Sequence, residues 1–323
     1  MKNSIFDQYS TSPLIFGGAA ISGEGGGYGF GAISEDAARD LLLLAFEKKV
    51  RVFDTAPIYG FGLSEQRLGK TFKTNREKVC FISKSGVTWD DKKRVQTSND
   101  IKVTEAMLEQ SLRDLQSEYI DLYMVHWPDQ NVDIRKTMEV LSKAKRAGKI
   151  KYLGLCNTYP EDLNKALEVD RIDVVQNELN VFATWPIENL FPLLKEKNIE
   201  FISYGTLDKG VISGSIRAGR QFQDPNDCRS WAPWWKHSDV MKKVEQLAPV
   251  LAFLEKKDSS GTHLATSFNL SFSAVTRILV GAKNEKQLFS LLKVLDEPLS
   301  TDLIKESLAQ GRGFESLIKL DVL

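Results

Sequence analysis

Short apolar runs alternate along this chain with segments whose apolar residues recur every three or four positions. Leu14-Ile15-Phe16-Gly17 is the first run and reads as a strand. Ser34, Glu35 and Asp36 then open a predicted helix with Ala37, Ala38, Leu41, Leu42 and Ala45 on one face. Further strands are predicted at Arg51–Thr55, Val79–Lys84, Ile120–Trp127, Tyr152–Asn157, Asp173–Asn180, Ile199–Thr206 and Arg277–Ala282. Helices are predicted at Thr104–Gln116, Thr137–Ala147 with Gly148 as its stop, after Pro160, at Ile187–Lys197, and near 238–256, 262–272 and 284–293. The second, fourth and seventh strands are almost continuously apolar, as expected when both faces of a sheet are covered.

Eight strands alternating with helices predict an α/β chain folded as a (β/α)8 TIM barrel, a single domain over residues 1–323. Residues 208–237 break the rhythm and read as a long loop insertion after the seventh strand, polar, Gly-bearing and rich in Trp.

Composition narrows the function. The 323 residues carry 43 Lys+Arg and 43 Asp+Glu, so the formal charge is zero, which disfavours nucleic-acid or anionic-membrane binding. No signal pattern and no spanning apolar run are evident. Cys80, Cys156 and Cys228 have no metal-type spacing and fit a reduced, cytoplasmic protein.

The chemistry collects where strands end. Asp54 closes the second strand, Tyr59 follows in a turn-prone loop, Lys84 closes the third strand and His126 lies near the end of the fourth. In a barrel these positions share the C-terminal rim. Singly, each has a plain structural reading: a cap, a packing ring, a paired lysine, a hydrogen-bonded core histidine. Together they make a proton-transfer group. A phenol titrates near 10 in water, and an adjacent ammonium lowers that value. Lys84, held by Asp54, is expected to do this to Tyr59, with His126 polarising the same substrate oxygen. A metal site has less support, because His126 alone of the histidines lies in a strand-end motif, and no metal is expected. The Gly-rich stretch 23–31 does not spell a dinucleotide fingerprint, since Tyr28, Phe30 and Ala32 interrupt it. It reads as a loop at the barrel mouth.

Phe53-Asp54-Thr55-Ala56, Tyr59-Gly60, Ser64-Glu65, Ser83-Lys84 and Asp121–Trp127 together resemble the aldo-keto reductase superfamily, over about residues 12–295. The resemblance implies a catalytic tetrad of Asp54, Tyr59, Lys84 and His126, with Tyr59 as general acid, and hydride from a nicotinamide cofactor, usually NADPH/NADP+, with NAD users also known in the family. It implies that Asn157 and Gln176 hold the carboxamide and that the Tyr204 ring stacks on the nicotinamide. Leu207 and Gly210 would flank the pyrophosphate, and Gly281, Lys283 and Gln287 the phosphate and adenosine end. Lys283 is expected to meet a 2′-phosphate. Cys156 stands where the family usually has Ser, a weaker donor. Tyr28, Trp127, Trp231 and Trp234 are candidate substrate contacts, with Trp89 and Trp235 further aromatic candidates. The implied substrate is a small-molecule carbonyl or a sugar, reduced or, in reverse, oxidised. An NAD-dependent sugar 1-dehydrogenase and a nicotinamide-binding regulatory protein with little turnover are the alternatives.

Overall fold

The computed structural model describes residues 4–23, 27–217 and 219–320. Among the described residues ten strands form: β1 (Leu14–Gly17), β2 (Val52–Asp54), β3 (Cys80–Ser85), β4 (Val87–Trp89), β5 (Val95–Thr97), β6 (Ile120–Val125), β7 (Ile150–Cys156), β8 (Val174–Glu178), β9 (Glu200–Tyr204) and β10 (Val275–Val280). Eight of them close a parallel barrel in the order β1-β10-β9-β8-β7-β6-β3-β2. These are the eight strands expected from the sequence. β4 and β5 form a separate antiparallel hairpin, Val87 opposite Thr97. That hairpin was not expected: β5 is exposed along its whole length and carries no apolar alternation to betray it.

The helices are α1 (Glu35–Glu47), α2 (Leu63–Phe72), α3 (Ile101–Asp114), α4 (Ile134–Arg146), α5 (Pro160–Leu167), α6 (Trp185–Asn189), α7 (Phe191–Lys197), α8 (Pro233–Lys236), α9 (Val240–Glu255), α10 (Gly261–Ser271), α11 (Glu285–Asp296), α12 (Thr301–Leu308) and α13 (Glu315–Ile318). Caps set several starts. Ser34 accepts from the Ala37 N–H, Asp100 from Lys102 and Asp133 from Arg135. Gly148, with φ +78°, ends α4 as expected. The single helix predicted over 187–197 is broken at Leu190 into α6 and α7, because Pro186 and Pro192 each start a new first turn. α2, α8, α12 and α13 had no counterpart in the sequence reading, α8 falling inside the stretch 208–237 expected to be loop.

Inside the barrel, Ile15, Val52, Ile82, Leu122, Met124 and Val174 belong to one fully buried apolar cluster. Phe6 joins it, so the segment before β1 packs against the strands' N-terminal end. A larger cluster lies between the strands' outer faces and the helices. The register is what matters for the site. Asp54 pairs with Ile82, Lys84 with Met124, and Cys156 with Gln176, so the C-terminal ends of β2, β3, β6, β7 and β8 meet on one rim.

The insertion after β9 folds back over that rim. Gly31 N donates to Asn226 O at 3.1 Å, Cys228 N to Gly29 O at 2.8 Å, and Ala32 N to the Asp224 carboxylate at 3.1 Å. Part of the Gly-rich stretch thus pairs with the insertion at the barrel mouth; residues 24–26 of the stretch lie outside the described residues. Among the described residues, no helix is long and apolar enough to cross a membrane.

Candidate active site

Lys84 Nζ lies 2.7 and 2.8 Å from the two Asp54 carboxylate oxygens and 2.9 Å from the Thr55 carbonyl. Both side chains are buried. Gln176 adds an amide N–H to the same carboxylate at 3.0 Å. The Asp54–Lys84 pair is therefore satisfied from three strands, which a buried ion pair needs to be tolerated.

Tyr59 stands over this pair, with the Lys84 ammonium 5.4 Å from its ring centroid. The His126 ring meets it edge-on, centroids 6.0 Å apart at 89°. The four candidate residues from the sequence are thus gathered at one place. Their electrostatics differ from expectation in one respect. Burial pushes the Tyr59 phenol up to about 12, outweighing the opposing pull of Lys84, whose charge is itself met by Asp54. Lys84 was expected to bring the phenol down; its pull is there, but desolvation outweighs it. Burial alone would drive the Lys84 ammonium down, but Asp54 and Tyr59 more than offset it and hold Lys84 above its ordinary value. His126 is held well below its usual range by burial and by the Lys84 cation, so its imidazole is neutral.

Beside the tetrad, Asn157 takes the left-handed conformation, φ +52°. This turn lets its amide N–H reach the His126 carbonyl at 2.9 Å, while its carbonyl oxygen accepts from the Tyr204 hydroxyl. The Cys156 thiol, kept protonated by burial, donates to Gln176 Oε1 at 3.3 Å and accepts from Asn157 Nδ2 at 3.2 Å. Cys156 therefore occupies the polar position where the resembled family usually has a serine.

From Tyr59 and His126 a cleft of about 1360 Å³ runs past Tyr204, Leu207 and Gly210 to Lys283 and Gln287. Gly281 lines it where a Cβ would come within 2.7 Å of Ala20 Cβ. Asn284 caps α11 by accepting from Gln287 N at 2.9 Å, and Gln287 returns a contact to Lys283 N at 2.8 Å. The Lys283 ammonium reaches across to the carbonyls of Phe30 (3.2 Å), Gly31 and Ala32 (2.9 Å). It ties β10's exit to the mouth loop.

Tyr28, Trp127 and Trp234 line the cleft, together with Val87 and Val95 of the unanticipated hairpin. Trp231 stands behind Tyr28, ring centroids 5.5 Å apart, with its indole N–H on the Pro225 carbonyl. Trp89 packs on Phe61 and Trp235 on Phe222. Arg229, paired with Asp227 and bonded to the Lys209 carbonyl, is a cleft residue that sequence reasoning passed over. Its signal was weak, a lone Arg in a polar insertion.

The family model described as "Aldo/keto reductase family" matches residues 13–308. The chain is 29% identical over 282 residues to "Aldo-keto reductase YhdN" of Bacillus subtilis (strain 168), covering 86% of this chain and 84% of the relative. It is 27% identical to the "NADH-specific methylglyoxal reductase" of Escherichia coli (strain K12), covering 84% of this chain and 86% of the relative. Among solved structures, the glycerol dehydrogenase AKR11B4 from Gluconobacter oxydans superposes with a TM-score of 0.79 at 26% identity, over 93% of this chain and 92% of that one. Barrel, rim and sequence agree: the chain belongs to the aldo/keto reductase family, oxidoreductases that act on small-molecule carbonyls with a nicotinamide cofactor.

Proposed function

We propose that this protein is an NADP(H)-dependent reductase of uncharged aldehydes and ketones, with Tyr59 as the proton donor. The observation that carries the reading is the cleft floor, where a phenol and a neutral imidazole face each other above a saturated Asp54–Lys84 pair.

The residues along the cleft fit a dinucleotide. Its length runs from the tetrad to the N-terminus of α11, whose first N–H groups suit an anion. The close approach at Gly281 and the left-handed φ of +104° at Gly210 leave backbone, not side chain, along the wall. Along the cleft Tyr204 would take the ring face, Leu207 and Gly210 the pyrophosphate, and Lys283 with Gln287 the adenosine end, while Asn157 and Gln176, bonded to Tyr204 and Asp54 just beneath the lining, would hold the carboxamide. When bound, the reduced nicotinamide supplies hydride to the carbonyl carbon.

The chain's own part is proton handling and orientation. Tyr59 gives its proton to the oxygen as negative charge develops there, and Lys84 stabilises the phenolate that remains. Neutral His126 donates a hydrogen bond to that oxygen and fixes its direction. Tyr28, Val87, Val95 and Trp127 offer aromatic and apolar surface, which favours a substrate without a charged group near the carbonyl. The same groups run in reverse for alcohol oxidation, which the similarity to a glycerol dehydrogenase makes worth measuring.

NADPH oxidation with 4-nitrobenzaldehyde tests the reading. Tyr59→Phe should lower kcat by about 10²–10⁴-fold. Wild-type turnover no faster than Tyr59→Phe across a broad carbonyl panel overturns it and favours a binding protein with little turnover. Lys283→Ala should raise KM for NADPH by about tenfold and leave KM for NADH nearly unchanged. Equal effects on both cofactors would remove the preference for NADP(H).

A further inference from the structure

Glu65 and Ser83, the neighbours of the tetrad in the sequence motifs, meet behind it on the helix side of the barrel. Side chains alternate along β3. Cys80 and Ile82 belong to the interior cluster and Phe81 to the outer one, so Lys84 points into the barrel mouth while Ser83 points to the helices. There Ser83 Oγ donates to Glu65 Oε1 at 2.6 Å, both residues fully buried.

Glu65 lies in the first turn of α2, and that turn is stitched to the loop carrying Tyr59. Ser64 N donates to the Tyr59 carbonyl at 3.2 Å, Leu63 N to Gly60 at 3.3 Å and Gly62 N to Pro57 at 2.7 Å. The neighbouring Ser64 hydroxyl accepts from Thr55 Oγ1 at 2.8 Å and donates to the Gly18 carbonyl at 3.1 Å. The start of α2 is thus held against β1 and β2 by Ser64 and against β3 by Glu65.

The second oxygen, Glu65 Oε2, faces a buried group of hydroxyls, those of Ser111, Tyr123 and Ser85. Ser111 adjoins both Glu65 and Tyr123, and Ser85 adjoins Tyr123. Packing alone would be served better by an apolar side chain, since burying a carboxyl is costly. A carboxyl kept at that cost, bonded to the residue next to Lys84, points to a positional role.

We infer that Glu65 is a positioning residue, which through Ser83 fixes the loop of Tyr59 against the strand of Lys84. It acts on the reaction through those two residues and touches neither substrate nor cofactor. The inference rests on the reading of Tyr59 as the proton donor.

Glu65→Gln keeps a carbonyl acceptor for the Ser83 hydroxyl, whereas Glu65→Ala and Ser83→Ala remove the contact from either side. Displacing a reacting group by a fraction of an ångström is expected to lower kcat about tenfold or more in both alanine variants, with Glu65→Gln within about threefold of wild type. KM for the cofactor should stay within about twofold, because the cofactor-holding residues lie on other strands. Unchanged kcat in the alanine variants overturns the inference, as does a Glu65→Gln loss equal to that of Glu65→Ala. If Glu65→Ala fails to fold, Ser83→Ala, which removes one hydroxyl, carries the test. A crystal structure of Ser83→Ala decides independently of turnover. A Tyr59 loop shifted relative to Asp54 and Lys84 supports the inference, and an unmoved loop overturns it. A wild type inert toward carbonyls would instead sink the role of Tyr59.

Discussion

Lys84 Nζ sits almost equidistant from both oxygens of the Asp54 carboxylate, at 2.7 and 2.8 Å, with neither side chain in contact with solvent. Removing one member leaves the other charged, buried and short of partners. Lys84→Met is therefore expected to destabilise the fold by about 3–5 kcal/mol, and the pair of changes Asp54→Leu with Lys84→Met by less than the sum of the singles. Urea unfolding of the three variants measures both. Additive losses would show that the two residues are held by their other partners and not by each other.

The proton chemistry has a direction that pH exposes. Burial keeps the Tyr59 phenol protonated up to about 12. Reduction needs the phenol, so its kcat/KM should show no loss from Tyr59 ionisation below about pH 10. Oxidation of an alcohol needs the phenolate, so its rate should rise by about tenfold per pH unit across the same range. A reduction profile that falls between about pH 7 and 8 would mean that the Lys84 charge outweighs desolvation.

Glu65 makes stability depend on pH in the opposite sense to an ordinary paired carboxylate. Burial raises its carboxyl to about 7 in the folded chain, against about 4.3 when unfolded. The folded state thus holds this proton more tightly. Glu65 does not weaken the fold below the unfolded value; its cost grows as pH rises toward 7 and is then complete, at about 4 kcal/mol. Glu65→Gln lacks this term. Its stability relative to wild type should be greater at about pH 8 by up to that amount and the advantage should vanish by about pH 4. Urea midpoints for the two proteins across that range decide it; parallel curves would place the Glu65 titration outside the window.

What was legible beforehand follows from how each feature is encoded. Val52-Phe53 and Ile120–Val125 are buried on both sides, so they stand out as apolar runs, and the rim residues Asp54, Lys84 and His126 interrupt or follow such runs with chemistry. α2 was missed because its start, Gly60-Phe61-Gly62-Leu63, looks like a loop and its apolar face is thin: Leu68 and Phe72 beside buried Ser64, Glu65 and Arg67. The Ser64-Glu65 motif entered only as part of the family resemblance, with no role read from the residues, while its geometry is that of a clasp. The upward shift of Tyr59 was illegible for a different reason. Which of two opposing effects on a phenol wins depends on how much water reaches it, a property of the closed barrel and not of any spacing along the chain.

Asp121 supplies the contrast that separates stability from catalysis. Its fully buried carboxylate accepts from Arg76 at 2.7 Å, the Phe81 N–H at 2.9 Å, the Tyr9 hydroxyl at 2.6 Å and Lys151 at 2.9 Å. It thereby clamps the segment before β1, the run leading into β3, and the starts of β6 and β7. Asp121 is the second residue of β6, and His126 lies just past the strand's other end. At about 3.3 Å per residue the two are about 16 Å apart along the strand. Asp121→Ala takes the counter-charge from Arg76, which keeps only neutral acceptors, and leaves the Phe81 N–H without its acceptor, and is expected to lower stability by about 3–5 kcal/mol. At a temperature where the variant stays folded, kcat should remain within about twofold of wild type, because no rim residue loses a partner. Thermal unfolding and steady-state rates on one preparation test both halves. A large fall in kcat without a fall in stability would show that the strands transmit the bottom of the barrel to its mouth, and would make the rim less self-contained than its hydrogen bonds imply.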